Sequence, residues 1–525
     1  MPGQATRIAA GRGATIARMN SEQRREKLEN LKARFATMSD LGAAASLLHW
    51  DQETYMPKKA VGLRSEQLAT LSRLSHETLV AKETGDLISS LEDAFDADSE
   101  EGAMVRVAKR GFDKSTKLPS KLVEERARAT SLAQPAWVEA RERADWSIFV
   151  PHLEKLMAIQ KETAEHLGYR EHPYDALLDL FETNGRKAKL EPMFESLKAG
   201  IVPLLKKVTE AASREETARE TAILGEFDEA RQEAFIRRVL TDYGYDWSRG
   251  RQDKVVHAFC INIGGPEDVR LTTNYSPARI DKALFTSMHE SGHGMYEQGV
   301  SPAYSRTPLG GGVSMGIHES QSRLWENIVG RSRGFWERYL PVLTELFPGA
   351  FEGVDVETFY RAVNEARPGF IRVDSDELTY NLHVLLRFEI EVALMEGRLS
   401  VDDIPAAWNA KMEEYLGIVP ENDSLGALQD VHWSSGLFGY FPTYSMGNVL
   451  SVQFYEKALE EHPGIPDDIA NGEFDALHGW MEKNIYRHGS RFDPDDLVER
   501  VTGRPLDTAP YLRYLEDKYT ELYAL

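Results

Sequence analysis

Apolar residues recur at three- and four-residue spacing through most of the chain after Asn20, and this period predicts amphipathic α-helices. The first such stretch, residues 21–50, places Leu28, Leu31 and Phe35 on one face. Charged residues and alanine fill the positions between them, as is typical of solvent-facing helix surfaces. Further helices are predicted over residues 58–95, 100–168, 183–208 and 226–243, and over most of the chain after residue 281.

Two kinds of segment interrupt the helical pattern. Residues 255–276 contain Gly264-Gly265-Pro266 and then an alternating, threonine-containing run, which predicts a short β-ribbon. The charged, alanine-rich residues 209–221 are typical of a solvated helix or linker. No repeat or break in composition divides the chain, so we expect residues 20–525 to form one large, mainly α-helical domain. Loops are predicted near residues 301–316, 420–448 and 461–473.

The composition narrows the possible partners of this chain. Its 525 residues carry a formal net charge of −22, so we expect it to bind neither nucleic acid nor anionic membrane surfaces. No apolar run approaches the roughly 18 residues that a membrane-spanning helix needs. The single cysteine, Cys260, excludes an internal disulfide and favours a reducing cytoplasm. Its thiol is expected to be a small buried group rather than a nucleophile.

Residues 1–19 differ in composition from the rest of the chain. They contain Arg7, Arg12 and Arg18, no acidic residue and no secretory apolar core. We expect a disordered tail there. An organellar targeting segment is the alternative, because such segments share this arginine-rich, acid-poor character.

The segment with the most specific chemistry is His289-Glu290-Ser291-Gly292-His293, which has the pattern H-E-x-x-H. Residues four apart lie on one face of a helix, so both imidazoles can bind the same metal ion. The glutamate between them can accept a proton from a water activated by that ion. The pattern predicts a metal-dependent hydrolase of amide bonds. Gly292 and Gly294 weaken the helix, which predicts the close approach of another segment.

Such a site needs a third protein ligand and an open fourth position. Glu297 is poorly placed for this role, because it lies a further turn along the helix axis. Glu319, on a second helix, is the preferred candidate, since the loop before it is rich in glycine, proline and serine and allows that helix to return. His318 and Glu326 are weaker candidates. We expect His318 to support a ligand and Glu326 to be an ordinary helix carboxylate.

Cleavage at a chain end also requires a fixed charge. An arginine suits a C-terminal carboxylate, because its planar fork matches the two carboxylate oxygens. Arg372 is the candidate, in a polar segment over residues 371–380. The alternative is a structural ion pair between Arg372 and Asp374 or Asp376.

Hydrogen-bond donors are needed to stabilise the oxyanion of a tetrahedral intermediate. His432 and the tyrosines Tyr440 and Tyr444 are candidates, within two segments of unusual composition. The alternatives are a capping or core role for His432 and core packing for the aromatic residues of 438–444.

Six spaced motifs, in one order, resemble those of the thermostable carboxypeptidase Taq family of zinc metallocarboxypeptidases from about residue 20 to the end. The departures are Ala258, where the family usually has proline, and Ser375, where it has alanine. Residues 48–57 also look like the family's tryptophan–aspartate segment. The six motifs are His257-Ala258-Phe259, Asp268 to Thr272 (D-x-R-x-T), His289 to His293, His318 to Gln321 (H-E-S-Q), Ile371 to Asp376 (I-R-x-x-A-D) and Gly426 to Trp433 (G-x-x-Q-D-x-H-W).

The resemblance implies a gluzincin-type, nearly all-helical metallopeptidase in which helices of about residues 20–110 form one wall of a deep active-site cleft. It also implies a homodimer with one Zn²⁺ per chain, which removes single residues from peptide C-termini with broad specificity. The implied site residues are the metal ligands His289, His293 and Glu319, the general base Glu290, the carboxylate-binding Arg372, and further substrate contacts from His257, Arg270, His432, Tyr440 and Tyr444.

Two other functions stay open from the sequence. The first is an oligopeptidase or dipeptidase on the same scaffold. The oligopeptidase would accept peptides with an amidated C-terminus and cut internal bonds. A non-catalytic, metal-stabilised binding protein is the other, and it would not need Glu290. Co²⁺ or Mn²⁺ can replace zinc at nitrogen and oxygen ligands of this kind.

Overall fold

The structure, a computed structural model, describes residues 19–212 and 222–525. The tail or targeting segment predicted for residues 1–19 lies outside the described residues except for Met19, as do residues 213–221 of the predicted linker. The described residues form twenty α-helices and three short strands, which confirms the mainly α-helical class. None of these helices is long and apolar enough to cross a membrane.

Nine helices precede the strands in the described ranges, and they follow the predicted periodicity with breaks that it did not locate. The stretch predicted over residues 100–168 is divided, for example, because Leu118 precedes Pro119 and is held in an extended conformation. The helices are α1 Ser21–Thr54, α2 Val61–Val80, α3 Lys82–Leu91, α4 Glu100–Lys117, α5 Ser120–Arg143, α6 Trp146–Leu167, α7 Pro173–Leu178, α8 Lys187–Ala212 and α9 Glu229–Tyr243.

The predicted β-ribbon is a three-stranded sheet of order β1-β3-β2. Its strands are β1 Gln252–Lys254, β2 Cys260–Asn262 and β3 Val269–Thr273. β1 lies before the predicted ribbon and pairs with β3 in parallel, whereas β2 pairs with β3 in antiparallel fashion. The sheet packs against the first helix that follows it, so it lies beside the H-E-x-x-H motif.

Eleven described helices follow the sheet, and two of them correct the predicted loops. The loop predicted to reach residue 448 ends at Phe441, because Pro442 occupies the first turn of a helix, where its fixed φ is favourable. A further helix lies inside the loop predicted over residues 461–473. The helices are α10 Asp281–Gly299, α11 Met315–Arg323, α12 Arg333–Leu346, α13 Val356–Val363, α14 Tyr380–Glu396, α15 Ile404–Leu416, α16 Pro442–Glu461, α17 Ile465–Asn471, α18 Asp475–Asn484, α19 Pro494–Thr502 and α20 Ala509–Tyr523.

The N-terminal helices have their own small apolar core, separate from the two large clusters of the remaining helices. Leu28 and Leu31 of α1 pack with residues of α3 and α4 in that core. Trp50, near the end of α1, joins these helices to the sheet because the guanidinium groups of Arg251 and Arg270 lie 4.9 and 4.5 Å from its ring centre. The N-terminal helices therefore contact the body of the protein next to the strands.

Candidate active site

Three side chains that can bind a metal converge where α10 meets α11. His289 and His293 lie one turn apart on α10, and Glu319 lies on α11. The Oε2 atom of Glu319 is 3.6 Å from Nε2 of His289 and 3.5 Å from Nε2 of His293. Within the described residues, this is the group of three histidine or carboxylate donors that can surround one ion.

The spacing of these donors fits a divalent ion such as zinc. Ligand atoms about 2.0–2.2 Å from a tetrahedral ion are separated from one another by about 3.3–3.6 Å. The distances from Glu319 to both histidines match that separation. Two imidazoles and one carboxylate leave the fourth tetrahedral position to a non-protein ligand, as in catalytic zinc sites.

The remaining ring nitrogen of His289 is held by Glu326, at 2.9 Å from Nδ1 to Oε2. The sequence prediction of an ordinary helix carboxylate at Glu326 is therefore wrong, because a π-helical segment, Leu324–Val329, turns its side chain toward α10. Arg323 donates to Glu319 at 2.6 Å and to Glu326 at 3.2 Å. Burial alone would raise the pKa of Glu319, but Arg323 and both histidines hold that pKa well below its ordinary value.

His293 is held through a longer relay. Its Nδ1 lies 2.7 Å from Nδ1 of His318, and Nε2 of His318 lies 2.7 Å from Oε1 of Glu297. Asn262 donates to the other Glu297 oxygen at 2.6 Å. If each ring carries one proton, Glu297 accepts from His318, His318 accepts from His293, and Nε2 of His293 keeps its lone pair for a metal. His318 thus supports a ligand, as predicted.

Glu290 lies on the same helix between the two histidines and is buried. Burial raises the pKa of Glu290 to about 7, although the neighbouring His289 opposes this rise. A carboxylate with a pKa near neutrality is suited to accept and return a proton. Cys260 of β2 is nearby and partly buried; burial raises the pKa of its thiol well above the ordinary value, which agrees with the expectation that it is not a nucleophile.

Glycines allow α10 to lie against its neighbours, as predicted. A Cβ atom on Gly292 would lie 2.6 Å from the carbonyl oxygen of Gln321 and 2.6 Å from Cα of Ser322. A Cβ atom on Gly294 would lie 2.8 Å from the side chain of Leu271 in β3. All three distances are shorter than van der Waals contact, so side chains there would separate α10 from α11 and from the sheet.

Arg372 is buried and forms an ion pair, but with neither of the aspartates that the sequence suggested. Its Nε and Nη2 atoms donate to Oδ1 of Asp430 at 3.1 and 2.8 Å. Its Nη1 atom donates to the hydroxyl of Tyr380 at 2.8 Å. The partner is Asp430 because Gln429, in the loop that follows α15, accepts from the backbone N–H of Arg372 at 2.8 Å and donates to the carbonyl oxygen of Phe370 at 2.9 Å. The bonds to Asp430 and Tyr380 use three of the five N–H groups of a guanidinium and leave two.

His432, Tyr440 and Tyr444 form one cluster beside this arginine. Nε2 of His432 is 3.2 Å from the Tyr444 hydroxyl, and the two tyrosine rings are 5.4 Å apart. Burial, with a contribution from Arg372, lowers the pKa of His432 to about 4, so its ring is neutral at neutral pH. The guanidinium of Arg372 lies 4.9 Å from the Tyr444 ring centre. Arg372 also donates to Tyr380, whose ring centre lies 4.4 Å from the guanidinium of Arg323. Arg323 donates to Glu319, so this cluster adjoins the donor group.

The structure does not bring His257 and Arg270 into this cluster. Arg270 donates to both oxygens of Asp268, at 2.8 and 2.7 Å, and stacks on Trp50. His257 is exposed in the connection between β1 and β2. Among the described residues, no hydrogen bond or ion pair joins either of them to the three metal donors.

Two buried glutamates near the site were missed by the sequence reasoning. Glu182 accepts from the backbone N–H of Gly316 at 2.9 Å. Glu391 accepts from Tyr174 at 2.7 Å, from Trp433 at 2.9 Å and from the backbone N–H of Gly439 at 2.9 Å. Neither lies in a recognisable motif, and their partners are distant in sequence, so no local signal could have identified them.

Comparisons with known proteins agree with this geometry. A sequence model of the carboxypeptidase Taq (M32) metallopeptidase family matches residues 30–519. Thermostable carboxypeptidase 1 of Thermus thermophilus is 41% identical over 518 residues, which cover 96% of this chain and 100% of the relative. Carboxypeptidase 1 of Bacillus subtilis is 39% identical over 489 residues, which cover 93% and 97%.

Solved structures give the same result. The crystal structure of an M32 carboxypeptidase from Deinococcus radiodurans superimposes with a TM-score of 0.92 at 41% identity, covering 95% of this chain and 100% of the other. A carboxypeptidase structure from Pyrococcus furiosus gives 0.90 at 38% identity, covering 94% and 99%. A family match across nearly the whole chain, together with the donor group on α10 and α11, shows that this protein belongs to the carboxypeptidase Taq (M32) metallopeptidase family and is a metal-dependent peptide hydrolase.

Proposed function

We propose that the protein is a zinc metallocarboxypeptidase that removes single residues of many kinds from the C-termini of peptides. The observation that carries this proposal is that Tyr380 contacts two arginines. Arg372 donates to its hydroxyl at 2.8 Å, and the guanidinium of Arg323, which donates to Glu319, lies 4.4 Å from its ring centre. A metal site can cut the last peptide bond if a fixed positive charge nearby binds the free carboxylate. Internal cleavage would not need that charge.

His289, His293 and Glu319 would hold one zinc ion per chain. Bound zinc supplies a Lewis acid for the scissile carbonyl and lowers the pKa of an attacking water. Glu290 would take the proton of the attacking water and pass it to the leaving amine, a role that suits its buried position between the two histidines. Co²⁺ and Mn²⁺ are expected to substitute for zinc, since both accept nitrogen and oxygen ligands.

Arg372 would bind the C-terminal carboxylate with the two N–H groups that Asp430 and Tyr380 leave available. Asp430 and Tyr380 fix the orientation of the guanidinium, so binding costs little side-chain entropy. The neutral ring of His432 and the hydroxyls of Tyr440 and Tyr444 would donate hydrogen bonds to the peptide backbone and the oxyanion.

Arg270 and His257 take lesser roles in this proposal. Arg270 braces the junction between Trp50 and the sheet, since its guanidinium is paired with Asp268 and stacked on the indole. That contact supports the proposal that the helices of residues 20–110 form one wall of the substrate cleft. His257, exposed beside that junction, would reach substrate only at the cleft entrance.

The cellular compartment and the oligomeric state are proposed from the cysteine content and from the family resemblance. The single cysteine of the sequence supports a reducing cytoplasm, and the resemblance to the family supports a homodimer. Light scattering of the purified protein tests the second point: a mass near twice the 59.2 kDa of the chain supports the dimer, and a mass near 59.2 kDa contradicts it.

Mass spectrometry of peptide digests tests the proposed activity. A carboxypeptidase gives a ladder that shortens one residue at a time from the C-terminus, requires a free carboxylate, and stops when the metal is chelated. Internal fragments, or equal cleavage of amidated peptides, would instead identify an oligopeptidase. Metal binding without any cleavage would identify a binding protein.

A further inference from the structure

Glu319 is carried by a short helix that cannot secure its own position. The ligand helix α11 has nine residues, about two and a half turns, and only the six-residue π-helical segment Leu324–Val329 continues it. Isolated helices of that length are not stable in water, so packing and end contacts determine where this helix lies. The structure shows such contacts with α10, with α16 and with the turn after α7.

The contact with α16 depends on Gly447. A Cβ atom on Gly447 would lie 2.5 Å from Cβ of Glu319 and 2.9 Å from its carbonyl carbon, and it would also overlap Cγ. Carbon atoms in favourable contact are about 3.5–4.0 Å apart. A backbone carbon cannot move away without moving the ligand helix. The hydrogen at this position therefore lets Glu319 lie directly against α16.

The ligand helix also packs closely against α10. Gly292 lies against the backbone of Gln321 and Ser322, at the distances given above. The ligand helix thus packs closely against two helices that each contribute a glycine, so a shift away from α16 would also disturb its contact with α10. A side chain at 447 must therefore change the position of Glu319 relative to His289 and His293.

The first turn of the ligand helix is held by the turn after α7. The N–H of Met315 donates to the carbonyl oxygen of Phe181 at 3.1 Å, and the N–H of Gly316 donates to Oε2 of Glu182 at 2.9 Å. These amides have no partner inside the helix, because they belong to its first turn. Glu182 is 3% exposed, so water cannot replace its carboxylate as an acceptor.

We propose that Gly447 and Glu182 are positioning residues for the metal ligand Glu319. Gly447 sets the distance between the ligand helix and α16, and Glu182 fixes the start of that helix through Gly316. Both act through Glu319 rather than on substrate. The proposal rests on the proposed function in one respect, namely that Glu319 binds the metal.

Gly447→Ala tests the first residue. We expect the zinc dissociation constant to rise at least tenfold and the visible spectrum of the Co²⁺-loaded protein to change, because a ligand has moved. The metal-free variant should keep its helical circular dichroism. Gly479→Ala is the matched control, since this glycine also lies inside a helix and its Cβ would have no described heavy atom within 4 Å. Zinc affinity within twofold of wild type and an unchanged Co²⁺ spectrum in Gly447→Ala would overturn the proposal for Gly447.

Glu182 is tested by a pair of variants, which also decide the proposal if Gly447→Ala does not fold. Glu182→Ala removes the acceptor for Gly316 and should weaken zinc binding about tenfold. Glu182→Gln keeps an oxygen at the same place and should stay within about threefold of wild type. Unchanged zinc affinity in Glu182→Ala, or equal losses in both variants, would contradict the positioning role.

Glu319→Gln separates a failure of the proposed ligand set from a failure of the positioning proposal. If this variant binds zinc as tightly as wild type, the proposed ligand set is wrong, and the positioning proposal falls with it. If Glu319→Gln loses zinc but Gly447→Ala and Glu182→Ala keep it, the ligand set stands and only the positioning proposal fails.

Discussion

At the scale of single residues, the two histidines of the donor group are held by different partners. His289 contacts the carboxylate of Glu326 directly, whereas His293 reaches Glu297 through His318. A carboxylate behind an imidazole fixes which nitrogen carries the proton and makes the other a better metal ligand. Both rings therefore present Nε2 to Glu319, although the means differ.

Glu290→Gln should separate metal binding from turnover. The amide cannot accept the proton of the attacking water, so we expect kcat to fall by about 10²–10⁴-fold. Zinc affinity should not change, because Glu290 is not a ligand in the proposed set. Glu337→Gln, at an exposed position on α12, is the control. Near-full turnover by Glu290→Gln would show that another group is the base.

Arg372→Ala should distinguish free from amidated C-termini. Hydrogen bonds between charged groups contribute roughly 1.5–3 kcal/mol, so kcat/KM for peptides with a free carboxylate should fall by about 100-fold. The rate on amidated peptides should change little. Asp430 keeps Arg387 as a partner, at 2.7 Å from Nε to Oδ2, so the variant should fold. Equal losses on both substrates would contradict carboxylate binding by Arg372.

The sequence identified the candidate donors and the supporting His318, but not the carboxylates that orient these side chains. The spacing of His289 and His293 follows from helix geometry, and Glu319 was the preferred glutamate on a second helix after a glycine-rich loop, so all three could be named in advance. Glu326 is 37 residues from His289, and Asp430 is 58 from Arg372. Such pairs form only after the helices have packed, and no local pattern records them.

At the scale of elements, α14 organises the substrate side of the site. Its Glu391 accepts three hydrogen bonds, two of which come from Trp433, next to His432, and from Gly439, next to Tyr440. The side chain is completely buried. One carboxylate thereby fixes both segments that carry the proposed oxyanion donors.

Stability should depend on pH through Glu391. Burial raises its pKa to about 7 in the folded protein, from 4.5. The folded state therefore binds the proton more tightly than the unfolded state, and this group's contribution to stability falls as pH rises from about 4.5 to about 7, by at most roughly 3 kcal/mol. Glu391→Gln cannot titrate. Both proteins are measured without metal. The difference in unfolding temperature, wild type minus Glu391→Gln, should therefore decrease as the pH rises from 5.5 to 8. A constant or increasing difference would contradict the assigned pKa.

The helical periodicity predicted most elements correctly and misplaced some ends. The loop predicted up to residue 448 was wrong after Phe441, because proline at the first turn favours a helix start that the glycines and aromatics of the segment concealed. The seven-residue helix Ile465–Asn471 was missed because it is too short to show a clear period.

At the scale of the whole molecule, the metal would join the consecutive helices α10 and α11. α10 and α11 pack closely at Gly292, and His289, His293 and Glu319 meet where they adjoin. A metal that binds only the folded protein stabilises it by about 2.7 kcal/mol when its free concentration is 100 times Kd.

Removal of the metal should therefore lower the unfolding temperature, and added zinc should restore it. In Glu319→Gln the effect of added zinc should be much smaller, since one of three ligands is lost. Differential scanning calorimetry measures the unfolding temperature of wild type and of Glu319→Gln, each without metal and with added zinc. A zinc effect of equal size in wild type and Glu319→Gln would show that stabilisation comes from another site.

The most direct test of the proposed metal centre is anomalous diffraction from a crystal of the zinc-loaded protein. We predict one strong peak per chain, about 2.0–2.2 Å from Nε2 of His289, Nε2 of His293 and a carboxylate oxygen of Glu319. A peak elsewhere, or a Glu319 side chain directed away from both histidines, would contradict the proposed centre.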